Sequence, residues 1–179
     1  MIDPTAFIHP MACVDDSIEH IGANTKIWQF ASVIRQAVIW DRCVIANGAI
    51  VDSSIVCHDV HISPGAVLFP GSYLHDEVFI GPNVVLCNDF WPGVRKTDHW
   101  GDVEWDYDKL LGGDVFSVVV ETQASIGANA TIMPGVRIGY KAMIAAGAVV
   151  TQDVPSECLY TRDGKVQPIR GTPKRMRTC

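Results

Sequence analysis

The chain is patterned on a beat of six. Counting from Val120, aliphatic residues recur at Val120, Ile126, Ile132, Ile138, Ile144 and Val150, and small or branched residues follow four places later at Ala124, Ala130, Val136, Ala142 and Ala148. A period of 2 builds an ordinary strand and 3.6 a helix. A period of six means that every sixth side chain meets the same surroundings, which predicts a solenoid. The beat also runs through Ile2, Ile8 and Val14, with Ala6, Ala12 and Ile18 four places on; one extra residue then resets it to Ile21, Ile27, Val33, Ile39 and Ile45. A later set, Ile62, Leu68, Leu74, Ile80 and Leu86, is one residue out of phase with that one. One hexad between Ile45 and Ile62 is therefore short, and the expected place is 51–61. A solenoid absorbs such a change as a local bulge, because each coil touches only its neighbours.

From Asp89 to Ser117 the beat stops, and it then resumes in phase with itself. This predicts an insertion loop over about 89–117. It carries Trp91, Trp100, Trp105, Tyr107 and seven acidic residues, too aromatic for a disordered linker and too polar for a core. Such a segment orders against something, either as a cap over a ladder edge or as an arm that projects toward a site. Beyond Val154-Pro155 the run LYTRDGKVQPI predicts a short hairpin on the turn pair Asp163-Gly164. The expected organisation is one domain: residues 1–155 as solenoid with the insertion, and 156–179 as hairpin and basic tail.

Composition narrows the class. The 179 residues fit a single compact unit. The apolar share of 48% is scattered as isolated Ile, Val and Ala, with no run of the 18 or so apolar residues that span a bilayer. No membrane segment or signal peptide is expected, and the location expected is cytoplasmic. The six cysteines lack paired CxxC spacing, which reads as reduced thiols rather than a zinc site. The formal charge is −6, yet Lys165, Arg170, Lys174, Arg175 and Arg177 have no acidic residue among them after Asp163. A local basic patch on an acidic protein suits a small polyanion better than a nucleic acid, which needs a broad basic face. A solvated tail is the plain alternative.

These residues resemble the hexapeptide-repeat family, whose fold is an all-β, left-handed parallel β-helix of triangular section with three hexads per coil. The segment VVVETQASIGANATIMPGVRIGYKAMIAAGAVVTQDVP, residues 118–155, is similar to the acetyl-CoA half of its acyltransferases. Gly171-Thr172-Pro173-Lys174-Arg175 resembles their closing segment. Upstream, VFIGPNVVLCNDFWPGVRK, the opening IHP and IGANTKIWQFA resemble the N-acetyltransferases of nucleotide-linked 3-amino sugars, with Gly93 where an Arg is usual and Arg95 two places later. The resemblance implies a homotrimer that uses acetyl-CoA as co-substrate and no metal, for bacterial surface polysaccharide (O-antigen) synthesis.

Carried over residue by residue, Asn88 and Asp89 match the pair that contacts the sugar beside the reacting amine. Trp91 and Arg95 fall in the substrate arm, Ala128 and Ala146 line the pantetheine path, and Lys174 and Arg175 lie near the phosphates of coenzyme A. Where relatives have an acidic residue, this chain reads Phe69-Pro70-Gly71, and Pro70 can neither bind nor donate a proton. Any role of that carboxylate passes to another group, with His75 and His58 as the candidates. The segment NGAIVDSSIVCHDVHISPGAVL is similar to the 4-amino-sugar enzymes, but Val51-Asp52-Ser53-Ser54 lacks their base histidine. A 4-amino sugar stays open as the nearest alternative. A zinc carbonic anhydrase using His58, His61, His75 or His99, and a non-catalytic assembly module, are the readings from other classes.

The chemistry asked of such a site is modest. A neutral amine attacks a thioester carbonyl, an oxyanion forms, and the thiolate leaves. The protein holds both reactants, donates a hydrogen bond to the oxyanion and accepts one proton.

Overall fold

The computed structural model describes residues 1–90 and 116–169. Among them the chain forms 22 strands of two or three residues and no helix. The strands stack into three sheets of nine, seven and six, and every pairing is parallel until the last. Successive strands visit the three sheets in rotation, so each turn lays one strand on each of three faces. The result is the expected parallel β-helix.

Alternate side chains of a strand point to opposite sides, so a two-residue strand sends one inward and one outward. The inward set is the aliphatic beat. On the first face, Ile39, Val56, Leu74, Val120 and Ile138 stack in register across adjacent strands. On the second, Ile27, Ile45, Ile62, Ile80, Ile126 and Ile144 do the same. On the third, Val33, Val51, Leu68, Leu86, Ile132 and Val150 complete the section. All are buried, and the alanines four places on are buried beside them, including Ala31, Ala66, Ala124 and Ala148. Three large side chains per coil meet on one axis and leave room only for small ones next to the corners. Every buried side-chain polar atom among the described residues has a hydrogen-bond partner.

The corners turn through left-handed backbone. At the corner from first to second face, Asn24, Arg42, Asp59, Glu77, Gln123, Lys141 and Glu157 all have φ between 55° and 62°. An L-residue there costs roughly 1–2 kcal/mol, offset in part by side chains that pair from coil to coil. Arg42 holds Asp59 in a two-bond fork at 2.8 and 2.7 Å, and Gln123 donates to Glu77 at 2.7 Å.

Departures from the beat are confined to one edge. Val14 to Ile21 takes seven residues, Val51 to Val56 five and Val150 to Val154 four, and the insertion separates Leu86 from Val120. All four lie at the corner from third to first face; every other step between ladder residues is six. The short hexad expected within 51–61 is thus Val51–Val56, while the shortening before Val154 was not visible in the beat. The insertion leaves after β14 (Val85–Leu86) and returns to β15 (Val118–Val120). At the far end, β21 (Cys158–Tyr160) and β22 (Val166–Pro168) form an antiparallel hairpin, with Gly164 at φ 81° in its turn.

Candidate functional site

The predicted residues that the structure describes sit at three different corners of one chain. Asn88 and Asp89 lie at the third-to-first corner, where the chain leaves the ladder, both half-buried. His58 and His75 lie on adjacent coils at the first-to-second corner. Ala128 and Ala146 lie on adjacent coils at the second-to-third corner. Trp91, Arg95, Lys174 and Arg175 lie outside the described residues, as do Trp100 and Trp105.

The loop's two ends are pinned beside Asn88. On its return, Ser117 donates its N–H to the Gly71 carbonyl at 2.8 Å and its hydroxyl to the Pro70 carbonyl at 3.0 Å. Pro70, useless as an acid or base, therefore anchors the insertion through its backbone oxygen. At the outgoing end, the exposed Phe90 ring lies over Gly135, 3.7 Å from where a Cβ would stand.

His58 is built into the corner. Its Nδ1 lies 3.3 Å from the Asp41 N–H and 3.5 Å from the Asp41 carboxylate, and its own N–H donates to Asp76 at 2.9 Å. Its ring lies 5.7 Å from that of Trp40. His75 packs edge-on against Tyr73, which stacks on Phe116 at 4.7 Å and 17°. Burial pushes the Tyr73 hydroxyl up to about 12, with Cys57 3.8 Å away adding to the shift, so near neutral pH it stays protonated and is no base. On the next coil, Glu121 accepts from Arg137 at 2.8 Å and from the Tyr140 N–H at 2.8 Å. The Arg137 hydrogen bond is the main reason its carboxyl titrates below the usual range.

Across the second face, His61 stacks on Phe79 at 5.6 Å, so it does not share the corner of His58 and His75. Among the described residues no group of three or more His, Cys, Asp or Glu side chains is placed to hold a metal. The five cysteines among them are free thiols, and burial pushes Cys43 up to about 12. Beside the C-terminal hairpin, a groove of about 500 Å³ is lined by Gln123, Ser125, Lys141, Met143, Glu157 and Ile169. No helix among the described residues is long and apolar enough to cross a membrane.

One pair escaped the sequence reading. Within the short hexad, the buried Asp52 accepts a fork from Arg35 on the coil below, with Nε to Oδ1 at 2.7 Å and Nη2 on Oδ2. The shortened spacing of 51–61 was the available signal, but it does not say which cation answers the carboxylate.

Residues 117–152 match the family described as the hexapeptide repeat of succinyl-transferase. The bifunctional protein GlmU of Pelobacter propionicus is 30% identical over 172 residues, covering 89% of this chain and 37% of that protein. The chain thus spans about two fifths of the length of the curated relatives it matches. Among solved structures, AntD, an N-acyltransferase from Bacillus cereus in complex with dTDP and 3-hydroxybutyryl-CoA, aligns over 95% of this chain and 81% of its own at 16% identity, with a TM-score of 0.56. A UDP-N-acetylglucosamine acyltransferase from Campylobacter jejuni aligns over 89% and 70% at 16% identity, with a TM-score of 0.50. At these identities the likeness is one of fold.

Proposed function

Since the chain is a hexapeptide-repeat protein folded as a parallel β-helix, we propose that it is an acetyl-CoA-dependent N-acetyltransferase acting on the amine of a nucleotide-linked sugar, at C3. The observation that carries this reading is where the ladder breaks. The one long insertion departs at Asn88-Asp89, in the third-to-first corner, directly before the repeat with the Gly127-Ala128-Asn129 and Ala145-Ala146-Gly147 corners. An acceptor held by Asn88 and Asp89 then meets a donor lying along the later coils. Two fold neighbours, AntD with dTDP and an acyl-CoA and the UDP-N-acetylglucosamine acyltransferase, support the same pairing of nucleotide and acyl donor.

The roles follow from the chemistry. Asn88 and Asp89 orient the sugar amine toward the thioester carbon. A sugar amine flanked by hydroxyl-bearing carbons is less basic than a lysine, so a neutral fraction is present near pH 7 without a strong base. The new C–N bond forms as the oxyanion develops; the C–S bond then breaks, and Asp89 or the departing thiolate takes the proton. Small residues at Ala128 and Ala146 let the pantetheine arm approach the backbone, and Lys174 and Arg175 serve its phosphates. Trp91 and Arg95 belong to the sugar side.

Because the named residues occupy three corners, a complete site takes two copies. We place it in the cleft between subunits of a homotrimer working in the cytoplasm, where His75 or His58 of one copy reaches the acceptor held by another. Outward-facing Ile50, Val67, Val85 and Val149 on the third face, the last 56% exposed, support such association.

The test is free-thiol release from acetyl-CoA against UDP- and dTDP-linked 3-amino and 4-amino sugars. Release with a 3-amino sugar is the expected result. Release with 4-amino sugars alone moves the position, and silence across the panel with coenzyme A still bound removes the acceptor class.

A further inference from the structure

The Arg35–Asp52 pair is more elaborate than a corner needs. Arg35 and Gln36 are consecutive non-glycine residues in the left-handed region, at φ 51° and 59°, and Ser53 opposite them is at 40°. Such strain persists only where the surroundings over-determine it, and it gathers at functional sites. Here the Ser53 hydroxyl donates to the Arg35 carbonyl at 2.6 Å, the Gln36 N–H donates to the Ser17 hydroxyl at 3.3 Å, and the fork on Asp52 fixes the guanidinium. Among the described residues, only the Nε–Nη2 side of that group is committed. The side chain stays 62% exposed while its partner is 6% exposed, so the Nη1 edge is rigidly offered to solvent. One coil above Asp52, Phe69 is 39% exposed on the same corner, its carbonyl tied down by Ser72 at 2.8 Å and Ser54 at 3.2 Å.

Coils repeat about every 5 Å, which sets Phe69 one coil, about 5 Å, and Arg35 three coils, about 15 Å, below Asn88 along one edge, with the guanidinium reaching up to Asp52 on the coil between. With the acyl donor on the coils above Asn88, the rest of the acceptor runs down this edge. Charge decides which part of it Arg35 meets. Asp52 and Asp15, against which the Arg35 amide lies, outweigh its single positive charge. A diphosphate is repelled there, whereas a neutral carbonyl is not. The free edge of a guanidinium donates two parallel N–H groups, suited to the adjacent O6 and N7 acceptors of guanine or to a uracil or thymine carbonyl, and it opposes the amino group of adenine.

We propose that Phe69 and Arg35 form the nucleobase subsite of the acceptor, with Phe69 stacking on the base and Arg35 selecting a carbonyl-bearing one. This rests on the nucleotide-sugar reading above.

The experiment is calorimetric titration of the protein, saturated with coenzyme A, with UDP, dTDP, GDP, ADP and inorganic pyrophosphate. At least one of the first three is expected to bind tenfold or more tighter than ADP. Arg35→Ala leaves Asp52 buried without its cation, so Arg35→Ala with Asp52→Ala is the variant to compare, its fold checked by circular dichroism. That double variant is expected to lose the preference over ADP by about tenfold with pyrophosphate affinity unchanged, and Phe69→Ala to weaken all bases alike. An unaltered preference in the double variant overturns the proposal, as does an equal loss for pyrophosphate, which makes the pair a phosphate site. Binding of coenzyme A with no nucleoside diphosphate bound overturns the nucleotide-sugar reading itself.

Discussion

Asn88 and Asp89 follow the last inward side chain before the insertion, Leu86, so their side chains carry none of the core. Replacing them leaves the aliphatic ladder in place. Asn88→Ala and Asp89→Asn are each expected to lower turnover by about 100-fold with the circular dichroism spectrum unchanged; wild-type rates in both would move the site to the corner of His58 and His75. Asn88 and Asp89 stand out in the sequence because the beat stops there. His58 was harder to place, since nothing in a hexad foretells that a histidine packs, as here, against the Asp41 amide and Trp40 ring of the coil below. The Arg35–Asp52 pair was signalled only by the short hexad, which does not say what meets Asp52. Its members are 17 residues apart, and their meeting depends on how a five-residue hexad settles into register.

Coils are the elements of this fold, and their spacing leaves no slack at the glycines that directly follow a ladder residue, Gly22, Gly81, Gly127 and Gly139. A Cβ on Gly127 would stand 2.6 Å from the Ala146 nitrogen and 2.8 Å from the Ile144 oxygen of the next coil, both backbone atoms that cannot step aside. Gly127→Ala is therefore expected to destabilise by about 1–3 kcal/mol, read as a lowered urea midpoint with an unchanged slope. The aliphatic ladder was readable residue by residue because burial repeats it without exception from Ile21 to Val150. What the beat could not reveal is that its irregularities share one corner, because face assignment emerges only once every coil is counted through the short and long hexads. All three faces and two of the corners are thereby kept regular for stacking, while the third corner is free to vary in length.

The whole molecule offers rows of outward aliphatic and aromatic side chains that a lone solenoid leaves in water, among them Phe7, Phe79 and Met143 on the second face and Val149 on the third. In solution the particle is expected to have roughly three times the chain mass of 19.6 kDa by light scattering; a monomer with full transferase activity would confine the site to one chain. The insertion also shapes how the chain reaches this form. Contacts between neighbouring coils ordinarily join residues about 18 apart, as in His58 to Asp76, but across the insertion Glu77 meets Gln123 over 46. Closing the longer span costs about 0.8 kcal/mol more in chain entropy, so coils nucleate more readily within either block than across the gap. The solenoid is therefore expected to assemble as two zippers, one on each side of the insertion, with the seam between them the last junction to close and the first to part; native-state hydrogen exchange no faster at Glu77 and Gln123 than within either block would contradict this.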